Sequence, residues 1–340
     1  MRVHHQDSLI EDAIEQAKSL GAPLQSERLD FVRCEPRALG IGNFDGVHLG
    51  HQEIFRRVRG RADEASLRSG ALTFVPHPTR FFRPDLAAEL ITPLARKLRI
   101  LCGCGLDELI ILPFDATLAA MPAEVFVQQM LVNRLGIRFV VVGARFAFGQ
   151  GRGGSIATLQ GMGPSCGFEA LGVDPVCDEG GVAISSSRVR QLVREGDMRE
   201  AAKLMGRPFA LEGTIETGAG RGRTIGFPTA NLAPNTRLLP ARGVYAAWVA
   251  IEGQRREAVV NIGRAPTFVD NGAMRVEIHV LDFSGDLVNS RMQIDFTRRM
   301  RDEQRFANVN ELIAAIREDI AMARRVLNDD AHGRGEPRCA

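Results

Sequence analysis

The chain has 340 residues, of which 45% are hydrophobic and 25% are charged, and its formal net charge at pH 7 is +2. This length favours two domains over one, and the composition is ordinary for a soluble globular protein. The small net charge, with a single Tyr and a single Trp, argues against the basic patches and stacking platforms of nucleic-acid-binding proteins.

The sequence also argues against a membrane or secreted protein. It contains no run of 18 apolar residues, and its start, MRVHHQDSLIEDAIEQ, lacks the apolar stretch of a signal peptide. Of six cysteines only Cys102 and Cys104 are close in sequence, and no second pair completes a zinc site. We therefore expect a cytoplasmic monomer or weak homo-oligomer with reduced thiols and no membrane or nucleic-acid partner.

In chain order, residues 1–37 are expected to be a helical or loosely ordered lead. Short apolar strands follow in RALGIGNF, ALTFVPHP, ELIILPF and RFVVVG, with amphipathic helices between them and a helical connection over 186–206. Continuous apolar strands suit a parallel sheet that is buried on both faces. Residues 38–205 are therefore predicted to form a doubly wound α/β domain.

From Gly206 on, the pattern changes to short strands separated by Gly, Pro and Asn. These strands are EGTIETG, GVYAAWVAIEG, REAVVNIG, MRVEIHVLDF and RMQIDFTRRM. Their regular spacing predicts a small all-β barrel or sandwich over 206–328. The last amphipathic stretch, ANVNELIAAIREDIAMARRVLND, predicts a helix that covers the barrel, and 329–340 are expected to be a flexible tail.

The first candidate site is GNFDGVHLGH (42–51), where a strand ends and a helix begins. Open α/β sheets bind ligands at this edge, and a helix N-terminus with small residues presents N–H groups to an anion. His48 and His51 are one turn apart, so both could donate hydrogen bonds to phosphate oxygens during attack on an α-phosphate. A pair of surface histidines, or half of a metal site, are the alternatives.

Three further stretches of the first domain bear on this site. ISSSRVR (184–190) offers hydroxyls, free N–H groups and Arg188 to a polyphosphate, or is a capped connecting helix. His77, in TFVPHP, could face a ligand or fill a turn. FGQGRGG has G-x-G-x-x-G spacing, but no strand ending in an acid follows it, which favours a glycine-rich flap over a nicotinamide site.

In the second domain, GAGRGRTIGFPTAN (218–231) could wrap phosphates with glycine N–H groups and arginines. Thr229 and Asn231 would face the same way in an extended segment and offer oxygen ligands that suit Mg²⁺, or could instead cap a local turn. Alternation in MRVEIHVLDF places Glu277 and His279 on one face. Glu277 could accept the proton of a hydroxyl that attacks a γ-phosphate, or could be an acid facing solvent.

The order of these motifs resembles that of the prokaryotic bifunctional riboflavin kinase/FMN adenylyltransferase family over about residues 38–328. The stretches that carry the resemblance are GNFDGVHLGH, TFVPHP, VVVGARFAFGQGRGG, ISSSRVR, GRTIGFPTANL, GVYAAWV, NIGRAPTF, VEIHVLDFSGDL and RRMRDEQRF. The resemblance implies a Rossmann-like nucleotidyltransferase domain that joins FMN to the AMP of ATP. It also implies a riboflavin kinase barrel, with riboflavin, FMN and ATP as substrates and Mg²⁺ as the metal.

The resemblance implies roles for particular residues as well. Catalytic roles fall to His48, His51 and Glu277, flavin binding to His77 and Arg301, and Mg²⁺ binding to Thr229 and Asn231. The residues implied to bind ATP and its phosphates are Gly42, Asn43, Phe44, Gly46, Ser185, Ser186, Ser187, Arg188, Gly220, Arg223 and Gly226.

The sequence departs from the family pattern at five positions. Ser187 replaces a usual Thr, Arg145 a usual Asn or Asp, and Ser155 a usual Asp, while Val288 and Asn289 alter a usual DLYG turn. Two alternatives therefore stay open: a paralogue in which only the kinase is active, and a flavin- or nucleotide-binding regulator without turnover.

Overall fold

The computed structural model describes residues 1–28, 35–83, 89–218, 222, 225–251, 253–264 and 274–333. The chain forms two compact units, the first over Met1–Ser186 and the second beginning at Ser187. Among the described helices, none is both long enough and apolar enough to cross a bilayer.

The first unit is built on a parallel sheet. Its strands are β1 (Arg2–His5), β2 (Gln25–Arg28), β3 (Arg37–Ile41), β4 (Arg68–Val75), β5 (Glu108–Pro113), β6 (Ile137–Gly143), β7 (Ala147–Phe148), β8 (Gly154–Ser155) and β9 (Glu169–Val173). Seven of them pair in the order β2-β1-β5-β4-β3-β6-β9, and every pairing is parallel. The short strands β7 and β8 form a separate antiparallel pair.

Helices cover both faces of this sheet. They are α1 (Ser8–Ser19), α2 (Leu49–Ala65), α3 (Pro78–Phe82), α4 (Leu94–Cys102), α5 (Ala116–Ala119), α6 (Ala123–Val125), which continues as a π-helix (Phe126–Arg134), and α7 (Ile156–Cys166), with a 3₁₀ turn at Gln150–Arg152. One hydrophobic core contains Ile14, Phe55 and Leu98, and the other contains Leu131 and Leu159. The predicted doubly wound α/β architecture is confirmed.

The prediction of a helical or loosely ordered lead over residues 1–37 is corrected in part: α1 is helical, but the described part of this segment also adds two strands to the sheet. Strand β1 lies between β2 and β5, and α1 buries Ile14 completely. The sequence RVHH does not look like a buried strand, because two of its four residues are histidines. His4 is nevertheless buried, since its Nε2 lies 3.2 Å from the carboxylate of Glu108, a distant residue.

The second unit begins with two helices and continues as a barrel. Its elements are α8 (Ser186–Glu195), α9 (Met198–Met205), β10 (Ala210–Glu216), β11 (Ala230–Pro234), β12 (Gly243–Ile251), β13 (Gln254–Arg264), β14 (Met274–Val280), β15 (Arg291–Arg301) and α10 (Val309–Gly333). The predicted helical connection over 186–206 is therefore two helices. They are separated at Gly196, whose φ of +82° favours glycine.

The barrel is antiparallel and closed, in the order β10-β11-β14-β13-β12-β15, with β15 pairing back to β10. Helix α10 packs on β12, β13 and β15 and buries Ala323 and Leu327 against Val244 and Ala246. The predicted barrel and its closing helix are confirmed. The predicted tail (329–340) is corrected at its start, because α10 continues to Gly333 through NDDAH, which contains no helix breaker. Residues 334–340 lie outside the described residues.

Candidate active sites

The turn after β3, residues 42–48, takes an unusual backbone path. The N–H of Gly42 donates to the Leu72 carbonyl at 3.1 Å, and the chain then takes positive φ angles at Phe44 (48°), Gly46 (84°) and Val47 (39°). Such angles are uncommon for residues other than glycine. The path ends at His48, which is buried and is the N-cap residue of α2.

The two histidines of the turn lie side by side. The rings of His48 and His51 are stacked, with centroids 3.6 Å apart and an angle of 21° between their planes. The ring of Phe44 meets His51 edge-on at 5.3 Å between centroids. Both imidazoles are therefore held at the N-terminus of α2, where an anion would be stabilised by helix N–H groups.

Buried polar side chains connect this turn to the rest of the first unit by hydrogen bonds. The Lys97 ammonium donates to the carbonyl of Asn43 at 2.8 Å, and the Thr73 hydroxyl donates to the same carbonyl at 3.2 Å. The Asp45 carboxylate accepts from the backbone N–H groups of Ile91 and Thr92, both at 3.1 Å. Sequence reasoning missed these contacts, because Lys97 lies in an ordinary amphipathic helix.

Burial changes the chemistry of Lys97. The side chain is 4% exposed, and loss of hydration lowers the pKa of its ammonium, while the nearby Asp45 carboxylate opposes this shift.

The ISSSRVR segment reaches the same turn. The hydroxyl of Ser186 donates to the Asp45 carbonyl at 2.8 Å, although 141 positions separate the two residues. Ser185 is half-buried beside it, while Ser187 is exposed and Arg188 is half-buried in the first turn of α8. Two stretches that were identified separately in the sequence therefore meet at one place.

His77 lies beyond β4, at the same edge of the sheet. Its Nδ1 accepts from the backbone N–H of Thr79, so His77 caps α3. Phe81, Phe82 and Phe114 cluster nearby, with ring centroids 5.2 to 5.7 Å apart, and Phe82 is 63% exposed. Sequence reasoning missed this aromatic surface, although PTRFF begins soon after β4 and Phe114 directly follows β5.

Two of the positions that depart from the family pattern, Ser155 and Asn289, have a local structural role. Ser155 is the N-cap residue of α7, and its N–H donates to the Thr158 hydroxyl at 3.1 Å. Arg145 is exposed, as is Val288. Asn289 takes a φ of 63°, and asparagine tolerates this conformation better than most non-glycine residues.

The barrel holds a cavity of about 990 Å³. The predicted residues Thr229, Asn231, Glu277 and Arg301 all line it, together with His279. The cavity is basic as well, because it is also lined by Arg242, Arg264, Arg275 and Arg305. The structure thus brings together four residues that lie up to 72 positions apart in sequence (301 minus 229).

Strand register explains how these residues meet. Asn231 lies directly across from Glu277, Glu277 lies across from Asn261, and Val244 lies between Asn261 and Arg301. Directly opposite residues on antiparallel strands have their side chains on the same face. Glu277 is therefore flanked by two amide side chains, of which sequence reasoning missed Asn261.

Close packing shapes the segment that carries Thr229 and Asn231. A side chain at Gly218 would clash with the amide of Asn231, and one at Gly222 would lie 3.2 Å from the Thr229 hydroxyl. The exposed Gly226 has a φ of +87°. Two residues predicted to bind ATP, Gly220 and Arg223, lie outside the described residues.

His279 fixes the start of this segment. Its Nδ1 lies 2.8 Å from the Pro228 carbonyl, and because a carbonyl can only accept, Nδ1 must carry the proton.

Arg301 is held by a residue that sequence reasoning missed. Its Nε and Nη2 donate to the two oxygens of Asp319 at 2.8 and 2.6 Å, and its guanidinium lies 5.9 Å from the Phe306 ring centroid. Asp319 belongs to α10 and is 6% exposed. The closing helix therefore contributes a buried carboxylate to the wall of the cavity.

Comparison with known proteins assigns both units. A family model for FAD synthetase matches residues 32–188, and one for riboflavin kinase matches residues 205–327. The bifunctional riboflavin kinase/FMN adenylyltransferase of Pseudomonas fluorescens is 39% identical over 86% of this chain and 93% of its own length. The enzyme of the same name from Escherichia coli K12 is also 39% identical, over 84% and 91%.

A solved structure shares the fold. The crystal structure of a protein from Streptococcus pneumoniae, named there a macrolide-efflux protein, has a TM-score of 0.79 and 32% identity and covers 87% of this chain and 96% of its own. Family models over most of the chain and two closely similar relatives confirm the resemblance seen in the sequence. The chain belongs to the bifunctional riboflavin kinase/FMN adenylyltransferase family, and it is an enzyme of FAD biosynthesis that phosphorylates riboflavin to FMN and adenylylates FMN to FAD.

Proposed function

We propose that the turn 42–48 and the first turn of α2 bind the ATP phosphates during adenylyl transfer. The FMN phosphate attacks the α-phosphorus, the bond to the β-phosphate breaks, and pyrophosphate leaves with the electron pair. His48 and His51 donate hydrogen bonds to phosphate oxygens as charge builds on them. The stacked rings at a helix N-terminus support this role.

The backbone around the histidines completes this phosphate site. Gly42, Asn43, Phe44 and Gly46 present their backbone to the nucleotide, because the turn places little side-chain bulk there. Residues 185–188 supply hydroxyls and a guanidinium, and the contact from Ser186 to Asp45 supports their inclusion.

On the flavin side, we propose that the isoalloxazine ring of FMN packs against the aromatic surface of Phe81, Phe82 and Phe114, next to His77. An exposed aromatic cluster at the carboxyl edge of a parallel sheet supports this placement, since ligands of such sheets bind there.

In the barrel, we propose that Glu277 accepts the proton of the riboflavin 5′-hydroxyl. The hydroxyl oxygen then attacks the γ-phosphorus of ATP, the bond to the β-phosphate breaks, and ADP leaves. Asn231 and Asn261, on either side of Glu277, can orient the carboxylate and the hydroxyl. Arg301 contacts the flavin from the wall formed with α10. Gly220, Arg223 and Gly226 contribute to ATP binding.

We propose Thr229 and Asn231 as the protein ligands of Mg²⁺. The donor set fits, because Mg²⁺ prefers oxygen ligands and is usually held by few protein groups together with substrate phosphates. Glycine at 218 and 222 lets the chain pack closely against these two side chains, where a Cβ would displace them. When bound, the ion would neutralise charge on the phosphates.

We further propose a cytoplasmic monomer or weak homo-oligomer. The described cysteines 102, 104, 166 and 177 are free thiols, which suits a reducing compartment. His48 and His51 stack on each other, and Thr229, Asn231, Glu277 and Arg301 line one cavity, which supports a chain that can act as a monomer.

The observation that carries the proposal is the meeting of Thr229, Asn231, Glu277 and Arg301 in one cavity. The test supplies riboflavin or FMN with ATP and Mg²⁺ and separates the flavin products by chromatography. Glu277→Gln should slow FMN formation by roughly 10²–10⁴-fold, because the proton acceptor is lost, yet still convert supplied FMN to FAD. His51→Asn should accumulate FMN. If the Glu277→Gln enzyme phosphorylates riboflavin as fast as the parent, Glu277 is not the base.

A further inference from the structure

The turn that carries His48 holds backbone strain. Phe44 and Val47 are not glycines, yet both have positive φ angles. Each such conformation is unfavourable and persists only where the surrounding structure fixes it. The contacts that fix this turn therefore also determine where His48 lies.

Lys97 makes a short side-chain hydrogen bond to this turn from a buried position. Its Nζ lies 2.8 Å from the carbonyl of Asn43, the residue just before the first positive φ angle. The Thr73 hydroxyl reaches the same carbonyl at a longer 3.2 Å. Lys97 is 4% exposed, so water cannot replace the donor if the side chain is removed.

The turn also accepts hydrogen bonds from the segment just before α4. The Asp45 carboxylate, inside the turn, accepts the N–H groups of Ile91 and Thr92, which lie just before α4. Lys97 reaches back from α4 to the turn. Hydrogen bonds from both sides thus join the turn to α4 and to the residues just before it.

Packing alone does not account for a lysine at this position. Burying an amine costs desolvation free energy that a methionine of similar length would avoid. What lysine adds is a hydrogen-bond donor to the Asn43 carbonyl.

We propose that Lys97 is a positioning residue for adenylyl transfer: it holds the Asn43 carbonyl and thereby the strained turn that delivers His48 to the start of α2. The inference rests on the proposed role of His48 and His51. In this role Lys97 acts through the turn and not directly on FMN or ATP.

The test is Lys97→Met in the full-length enzyme. The adenylylation kcat, corrected for the folded fraction read from a thermal unfolding curve, should fall roughly 10–100-fold, because small displacements of catalytic groups cost this much. The KM values for FMN and ATP should change little. The riboflavin kinase rate should equal that of the parent, which shows that the chain is intact.

Arg37→Met is the matched control. Arg37 is a buried cation of the same unit, at the start of β3, and its Nε lies 2.9 Å from the Glu108 carboxylate, at the opposite end of the strand that leads into the turn. Its loss should lower the unfolding temperature without lowering the corrected kcat. If the role of Lys97 were only structural, Lys97→Met would likewise lower the unfolding temperature without lowering the corrected kcat.

Two further variants decide the matter if Lys97→Met does not fold. Lys97→Gln keeps an N–H donor and should lose less activity, and Thr73→Val removes the longer bond and should lose least. A corrected kcat equal to that of the parent in Lys97→Met, or in both other variants, overturns the inference. If His51→Asn also keeps full adenylylation, the proposed site is wrong. If His51→Asn is inactive while the Lys97 variants keep the parent kcat, the proposed site stands and only the positioning role of Lys97 is wrong.

Discussion

Asp319 holds the guanidinium of Arg301, a residue that lines the barrel cavity. It accepts two hydrogen bonds from Arg301, at 2.8 and 2.6 Å, from a buried position on α10. Bidentate pairs of this kind fix the orientation of a guanidinium as well as its location. If Arg301 contacts the flavin, Asp319 determines how well the cavity fits riboflavin.

We predict that Asp319→Asn raises the KM for riboflavin roughly 10–100-fold, because hydrogen bonds to charged groups contribute about 1.5–3 kcal/mol. FMN adenylylation in the same preparation should be unchanged. Glu318→Gln, which alters the neighbouring exposed acid on α10, is the control and should leave the KM as in the parent. Steady-state kinetics with varied riboflavin measure the effect. An unaltered KM in Asp319→Asn would mean that Arg301 does not bind the flavin.

Tyr245 offers a direct test of barrel packing, because it is the only tyrosine of the chain. Its hydroxyl donates to the Ala241 carbonyl at 2.5 Å, and the side chain is fully buried. Burial raises the pKa of Tyr245 to about 12, and the nearby Arg299 opposes the shift. The fold therefore favours the neutral phenol.

We predict that this preference stabilises the barrel by about 3 kcal/mol below pH 10 and that the contribution is lost as the pH rises from 10 to about 12. The sign follows because the unfolded chain ionises first. Near-ultraviolet absorbance measures tyrosinate: at a pH of about 11, the folded chain should be mostly neutral and the urea-unfolded chain mostly ionised. Equal ionisation in both states would contradict the burial of Tyr245.

At the scale of elements, α1 is part of the first core and not a lead. Ile14 is fully buried in the same core as Phe55 and Leu98. We predict that Ile14→Ala lowers the free energy of unfolding of the first unit by about 2–5 kcal/mol, the usual cost of such a cavity. Asp12→Ala, on the exposed side of α1, should change it by no more than about 0.5 kcal/mol. Urea unfolding followed by circular dichroism measures both, and equal effects would contradict the packing of α1.

The elements that could be predicted from the sequence differ physically from those that could not. Strand β6 is a continuous apolar run, and the buried residues of α2 recur at helical spacing, so a local pattern is sufficient for both. Strand β1 shows no such pattern, because its buried His4 lies against the carboxylates of Glu27 and Glu108, which belong to the neighbouring strands β2 and β5.

The residues of the candidate sites also fall into those that a local sequence pattern identifies and those that it does not. Strand alternation in the sequence is enough to single out Glu277. It does not identify the residues that lie next to Glu277 and Arg301 in the folded barrel. Asn261 and Asp319 reach the cavity through barrel register and through the packing of α10, which no spacing in the sequence reports. Lys97 likewise supports the first site from a helix without any motif.

At the scale of the whole molecule, two reactions in series are divided between two units. The proposed kinase residues lie in the barrel cavity, and the two histidines proposed to act in adenylylation lie in the first unit. FMN is the product of one site and the substrate of the other. If each site is complete in its own unit, the two reactions can be separated by substitution and then recombined by mixing.

We predict that Glu277→Gln and His51→Asn enzymes each fail to make FAD from riboflavin at the parent rate, and that their mixture makes it after a lag. The lag arises because FMN must leave one molecule and accumulate before another binds it. Chromatography of timed samples measures the three flavins, and supplying FMN at the start should abolish the lag. A phosphatase that destroys free FMN should suppress FAD in the mixture. If the mixture accumulates FMN but makes no FAD, His51 and Glu277 do not belong to two independent sites.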